Sequence, residues 1–458
     1  MGEDRSLAAS TSEWGAELRR PPREHDRWLL DWLVQTTGRV YHFQKANGRT
    51  LPATVRTHAM ISKHLGFAAG KAEMLAKDAM EAGAAETAKH HFFTASNTYA
   101  AAQHVIFETN EEKRFLHEGA MRCYAAYASL TSPEIRHVLI PFEGTTLGAY
   151  LHLADLASPA PCIVVLPGCD MTKEMYPGPG ANHAAQRGMH MLVLDGPGQG
   201  EANLRDLKLT STNYARAVSA AIDVVSRLPE VDGRRIGVYG MSFSSQWAMA
   251  AAAHDDRIRA VAAPLFSGCD KYYLMNVEGP RWRWLFMYLT GAASDDELNE
   301  IMRGMRLDDL LPGVRCPCLW AVGEYDARSP VREVLRLFDL MTNDRELWIF
   351  ADQHHQVNVA DGRSVPVWGS DINMYSFDWL EAHLDGAPDS SARRRIRYLQ
   401  PGEGPYSRAA RTPWPWYRRF SREGAQGEEF EEEGFEEAAP AASSLGGLPN
   451  EGSIGALP

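Results

Sequence analysis

Cysteine is scarce, with six in 458 residues, too few for a disulfide framework in a chain of this length. Cys316 and Cys318 form a Cys-Pro-Cys triplet, but no second pair lies at zinc-like spacing. They read as buried thiols at a strand edge, and no metal is expected. Long apolar runs are missing as well. No stretch of 18 apolar residues occurs, so no membrane-spanning segment is expected. The first twenty residues, MGEDRSLAASTSEWGAELRR, are polar and mixed in charge, unlike a secretory signal. These absences favour a reducing, cytoplasmic setting. An excess of base is absent too. The 47 Lys and Arg stand against 59 Asp and Glu, a net charge of −12, so nucleic acid is not the expected partner. Seven glutamates and no base lie between Glu428 and Glu437. The rest of the chain is close to neutral.

What is present has three grammars. Residues 1–22 read as a flexible lead-in closed by Pro21-Pro22. Residues 23–132 are rich in good helix formers, with apolar positions at helical spacing such as Met74, Leu75, Ala79 and Met80. We expect a helical cap domain there.

From residue 133 to 386 short apolar runs alternate with helical patterns. The runs are Ile135–Phe142, Leu147–Leu153, Cys162–Leu166, Met189–Leu194, Arg235–Tyr239, Ala260–Leu265, Cys318–Val322 and Leu347–Phe350. Alternation of this kind predicts an α/β domain with a mostly parallel sheet covered on both faces. The connection between Leu265 and Val314 is too long for a simple crossover, so a helical insertion is expected at about 267–313. Residues 387–458 are rich in Pro, Gly, Ser and Glu and poor in apolar residues, a composition expected to stay disordered.

The chemistry centres on Gly240-Met241-Ser242-Phe243-Ser244, placed between a strand and a helix. This is the context of a nucleophile elbow, in which a sharp turn projects the serine hydroxyl from the top of the sheet. Small residues at positions −2 and +2 let strand and helix close around the turn. Here they are Gly240 and Ser244, the second in place of the usual glycine. Serine alone is a weak nucleophile and needs a base and an orienting acid, which in this topology follow in the order Ser, Asp or Glu, His. Asp326, past the strand Cys318–Val322, is the predicted acid, with Glu324 as competitor. Past Leu347–Phe350 stand two adjacent histidines. Neighbouring residues project differently, so only one faces Ser242, and we prefer His354 over His355.

The oxyanion hole needs two backbone N–H groups. Phe243 follows the nucleophile, and Cys169 lies in the loop after Cys162–Leu166. The string Asp195-Gly-Pro-Gly-Gln-Gly-Glu201 imitates a dinucleotide loop, but its glycines at 196, 198 and 200 have the wrong spacing. It reads as a structural turn at the rim of the active-site face.

Together LPGCDMTKEMY, LDGPGQGE, the GMSFSS elbow, the Asp326 and His354 loops and the helical N-terminal region resemble one branch of the α/β-hydrolases. That branch includes 2,6-dihydroxypseudooxynicotine hydrolase and fungal hydrolases that shorten polyketide chains. The likeness covers about residues 40–385. It implies an α/β-hydrolase fold, with a mostly parallel eight-stranded sheet, helices on both faces and the N-terminal helices as a cap. It implies cleavage of a carbon–carbon bond next to a ketone, or of an ester, without metal or cofactor. The substrate would be a small aromatic or polyketide-like molecule, and the chain would form a homodimer. The resemblance also makes Glu278, in Glu278-Gly279-Pro280, a substrate-site residue. The sequence departs from the branch at Met241 and Ser244 and in a histidine loop one residue shorter. Two other readings are a catalytically retired hydrolase fold that binds or regulates, and a serine peptidase. The tail ending in Gly452–Leu457 resembles the peptides that dock cargo enzymes into encapsulin shells.

Overall fold

The computed structural model describes Val55 and residues 57–177, 182–359, 371–385, 393–400 and 403–407. The lead-in, the first part of the expected helical region and the terminal docking segment lie outside the described residues.

The described residues open with three helices, α1 (His58–Glu81), α2 (Ala85–His104) and α3 (Glu111–Ser129). On α1 the residues Ile61, Leu65, Ala69, Ala72, Ala76 and Ala79 are buried, a stripe at spacings of three and four that faces one side of a helix. It packs with Phe92, Tyr99, Leu116, Ala120 and Tyr127 into a core of its own. The cap is tied to the sheet by polar bonds at buried aromatics. The Tyr124 hydroxyl donates to Tyr176 O at 2.6 Å. Its single proton is then spent, so His152 Nε2, 3.1 Å away, must be the donor to the same oxygen.

The sheet follows, with strands β1 (Ile135–Phe142), β2 (Thr145–His152), β3 (Ala160–Leu166), β4 (His190–Leu194), β5 (Val231–Gly240), β6 (Ile258–Pro264), β7 (Cys318–Gly323), β8 (Arg345–Phe350) and β9 (Arg394–Leu399). Their order is β1-β2-β4-β3-β5-β6-β7-β8-β9. The first two strands form an antiparallel hairpin, and β2 meets β4 antiparallel. Every later pairing is parallel. The helices α4 (Gly200–Leu204), α5 (Asn213–Val225), α6 (Ser244–His254), α10 (Val331–Phe338) and α11 (Asp371–Asp385) intervene. The expected insertion is helical, as α7 (Lys271–Val277), α8 (Pro280–Thr290) and α9 (Asp295–Gly304).

Among the described residues the sheet has nine strands rather than eight. The ninth comes from Arg394–Leu399, inside the segment that composition assigned to a disordered tail. It pairs in register with β8, from Arg345↔Arg394 to Phe350↔Leu399. It is an edge strand, and edges carry charge to stay unpaired with other chains. Arg395 and Arg397 reach Glu346 at 3.3 and 3.4 Å, while Leu399 is buried. A search for apolar runs passes over such a strand.

Candidate active site

The elbow is built as its sequence demands. Ser242 has φ +60°, a left-handed conformation that costs a non-glycine residue energy and is held only where the surroundings impose it. Its N–H donates to Pro264 O at the end of β6, 3.1 Å away. A Cβ at Gly240 would lie 2.4 Å from Ser244 O and 2.7 Å from Ala248 Cβ, so only glycine fits where α6 crosses β5. Ser244 is wholly buried. Its hydroxyl lies 2.7 Å from Leu166 O and 2.8 Å from Met241 O. Serine therefore replaces the usual glycine while tying the elbow to β3.

Three predicted site residues come together, though not the expected histidine. Ser242 Oγ lies 2.7 Å from His355 Nε2, and His355 Nδ1 lies 2.7 Å from Asp326 Oδ2. A carboxylate only accepts, so Nδ1 carries the proton and Nε2 is free to accept from the serine hydroxyl. The other Asp326 oxygen accepts from Arg328 N at 2.9 Å. His355 and Asp326 are buried.

The preference for His354 is corrected by the geometry. His354 is exposed, and its ring centroid stands 6.3 Å from that of Tyr325. The loop after β8 turns through Asp352 at φ +58°. Gln353 O then accepts from Tyr325 N at 2.8 Å. A Cβ at Gly323 would be 2.0 Å from His354 O, so the loop crosses the end of β7 at backbone contact. Residues through His354 are used in that crossing, and the next side chain faces Ser242. Glu324, the competing acid, accepts from Asp352 N at 3.0 Å and from the Tyr398 hydroxyl. It fixes the loop and β9 rather than the histidine.

Phe243 is the N-cap residue of α6, directly after the serine, and its ring packs against Phe286 of the insertion at 4.5 Å. Cys169 is buried in the loop after β3. That loop is held by Gln199, a residue the sequence reading did not single out. Gln199 Nε2 lies 3.2, 2.9 and 3.3 Å from the carbonyls of Pro167, Gly168 and Met171. Its Oε1 accepts from the Tyr214 hydroxyl at 2.5 Å. The DGPGQGE string thus serves the loop that carries Cys169. Gln199→Ala is expected to leave the fold intact and to lower kcat about 10- to 100-fold, since misplacement near 1 Å costs about 100-fold. Steady-state rates beside thermal unfolding check this.

Beside Gln199 lies a wholly buried charge cluster. Lys173 Nζ is 2.6 Å from Glu174 Oε1, 3.2 Å from Asp195 Oδ2 and 3.1 Å from Glu201 Oε1. Burial pushes the Asp195 carboxyl up. For Glu174 burial is outweighed by the Lys173 ammonium, and its carboxyl titrates below the usual range.

Glu278 is brought to the loop that carries Asp326. Its Oε1 accepts from Arg328 Nε, and the Arg328 guanidinium stacks over the Trp282 ring at 4.5 Å. Trp282 and Phe286 are themselves buried, so these insertion aromatics are packing elements. Arg328 was also missed. Its one signal in the sequence is its place two residues after the predicted acid.

Among the described residues no group of three or more His, Cys, Asp or Glu side chains is arranged to hold a metal. No helix there is long and apolar enough to cross a membrane. An open groove of about 760 Å³ runs between the cap and the insertion, lined in part by Phe107, Trp284 and Tyr288. It contains no residue of the Ser242–His355–Asp326 chain.

Comparison with known proteins agrees with this architecture. The family described as Esterase FrsA-like matches residues 67–272, and acetyl xylan esterase (AXE1) matches residues 211–365. The 2,6-dihydropseudooxynicotine hydrolase of Paenarthrobacter nicotinovorans is 26% identical over 230 residues, covering 49% of this chain and 60% of that protein. Hydrolase LUC6 of a Fusarium species is 29% identical over 286 residues, 58% of this chain and 65% of its own. The chain thus spans less than two thirds of either relative. Hydrolyase poxO of Penicillium oxalicum is 27% identical over 336 residues, with 61% and 79% covered. Among solved structures, the crystal structure of 2,6-dihydroxy-pseudo-oxynicotine hydrolase superposes with a TM-score of 0.63 at 21% identity, covering 76% of this chain and 94% of that one. The chain thus has the α/β-hydrolase fold, with 2,6-dihydropseudooxynicotine hydrolase and fungal hydrolases among its homologues.

Proposed function

We propose that the protein is a serine hydrolase. Its substrate would be a small aromatic or apolar molecule, cleaved at a carbon–carbon bond next to a ketone or at an ester. The observation that carries this reading is the unbroken chain of two 2.7 Å hydrogen bonds from Ser242 through His355 to Asp326.

In this mechanism Ser242 Oγ attacks the carbonyl carbon while His355 Nε2 takes its proton. Asp326 holds the imidazole in the tautomer that can accept and stabilises the imidazolium. The carbonyl oxygen becomes an oxyanion facing the N–H groups of Phe243 and Cys169. Collapse breaks the bond to the leaving group, an alkoxide or an enolate, which takes the proton from His355. Water activated by His355 then adds to the acyl-enzyme, and Ser242 leaves with the proton returned. The likeness to 2,6-dihydropseudooxynicotine hydrolase favours a ketone-bearing substrate, and the esterase families favour an ester. The six cysteines, all buried and none in a disulfide, suit a cytoplasmic setting within the same proposal.

A fluorophosphonate probe tests the nucleophile. Wild type is expected to be labelled on Ser242, and Ser242→Ala not at all. Labelling that survives in Ser242→Ala, or folded wild type that stays unlabelled, would overturn the reading. Turnover of aryl esters against aryl β-diketones then separates the two substrate classes.

A further inference from the structure

Lys271 is a buried cation that the mechanism above leaves unused. It opens α7, whose first amides are capped by Asp270. That carboxylate accepts from Tyr272 N at 2.7 Å and Tyr273 N at 3.1 Å. With Asp270 so engaged, Lys271 turns inward and is 1% exposed. Its ammonium donates to the carbonyl of Ser267 and, at 3.1 Å, to that of Cys269. It also sits over the Phe243 ring, 4.7 Å from the centroid, and interacts electrostatically with Cys169. Both residues assigned to the oxyanion site are therefore its neighbours.

Hydrogen bonds lead from it to the nucleophile. Ser267 N–H donates to Ser245 Oγ at 2.8 Å, and Ser245 N–H donates to Ser242 O at 2.9 Å. The same loop accepts Ser242 N–H at Pro264 O and the Ser329 hydroxyl, from the acid loop, at Phe266 O. No carboxylate among the described residues lies within ion-pair distance of Lys271. An ammonium buried without an opposite charge is costly, and a developing negative oxygen nearby would offset that cost.

We propose that Lys271 is a positioning residue of the Ser242 site. It braces the loop behind Ser242 and Phe243 and supplies a positive field to the oxygen that becomes negative in the tetrahedral intermediate. The inference rests on the reading of Ser242 as nucleophile.

Protonation of Lys271 gives the field a pH dependence. Burial lowers its pKa to about 8. The titratable groups facing it are the Cys169 and Cys269 thiols and Asp270, with Asp326 and Glu333 acting on Cys269 from beyond. Burial pushes the Cys269 thiol up to about 12, so it stays neutral in the window of interest. The field should be present below pH about 8 and lost above it.

The test uses the full chain as wild type, Lys271→Arg and Lys271→Met. The readouts are p-nitrophenyl butyrate turnover and the rate of fluorophosphonate labelling, from pH 6 to 10. Wild type is expected to lose rate on an alkaline limb near pH 8 with KM unchanged. Lys271→Met should lose that limb and run about 10- to 100-fold slower at pH 7, a smaller effect than removing a direct oxyanion donor. Lys271→Arg should carry the limb beyond pH 10. If Lys271→Met fails to fold, the displaced limb in Lys271→Arg is decisive. A limb that stays near pH 8 in either folded variant overturns the inference. It does so without touching the Ser242 reading, which fails only if wild type is not labelled at Ser242.

Discussion

Replacing His355 by alanine is expected to lower kcat about 10⁴- to 10⁶-fold, the range seen when a triad member is removed. The same change at His354 should leave kcat within a few-fold. Only His355 reaches Ser242 Oγ and Asp326 together, at 2.7 Å on each side. Its neighbour is exposed beside Tyr325. Both substitutions remove an imidazole from the same loop, so loss of loop structure cannot account for a difference between them. Rates on an aryl ester, with labelling of Ser242 as a second readout, check the pair. Equal losses in the two variants would sink the assignment of His355.

Lys173→Met is expected to destabilise the protein by about 3–5 kcal/mol, the cost of breaking a buried charge pair from one side. The substitution keeps the bulk of the side chain and removes the cation that faces Glu174, Asp195 and Glu201. Arg205 still reaches Glu201 at 2.6 Å, but Glu174 and Asp195 lose their ammonium. The surrounding glycines show how closely these carboxylates are packed. A Cβ at Gly148 would lie 1.5 Å from Glu201 Oε1, and one at Gly200 would lie 2.1 Å from Asp195 Oδ2. Adding Glu174→Gln to Lys173→Met should recover part of the loss, because one uncompensated charge is gone. Denaturant unfolding measures both variants. A single variant within about 0.5 kcal/mol of wild type, the usual range for surface substitutions, would show that the cluster carries no net stabilisation. Lys173 also donates its backbone N–H to Asp195 Oδ1 at 2.7 Å, just past the loop that holds Cys169. Activity should therefore fall before the fold does as denaturant rises.

Most of the architecture follows from local residue patterns. Strands buried on both faces must be continuously apolar, and β3, β4, β7 and β8 were legible for that reason. The elbow was legible because a sharp strand-to-helix turn leaves a local signature, a small residue two positions before a serine. The order of nucleophile, acid and base follows the order of the parallel strands that carry them. What escaped the sequence depended on contacts between distant segments. The edge strand β9 is polar because one side faces water, and its partner β8 lies more than forty residues earlier. The choice between His354 and His355 was decided where the loop after β8 crosses Gly323, a backbone contact between that loop and the end of β7. Gln199, Arg328 and Lys271 carry no local pattern that marks them. Their roles appear only when the sheet brings the segments after β3, β4, β6 and β7 to one end. There a polar side chain has to find its partner among groups that the fold, rather than the neighbouring sequence, puts within reach.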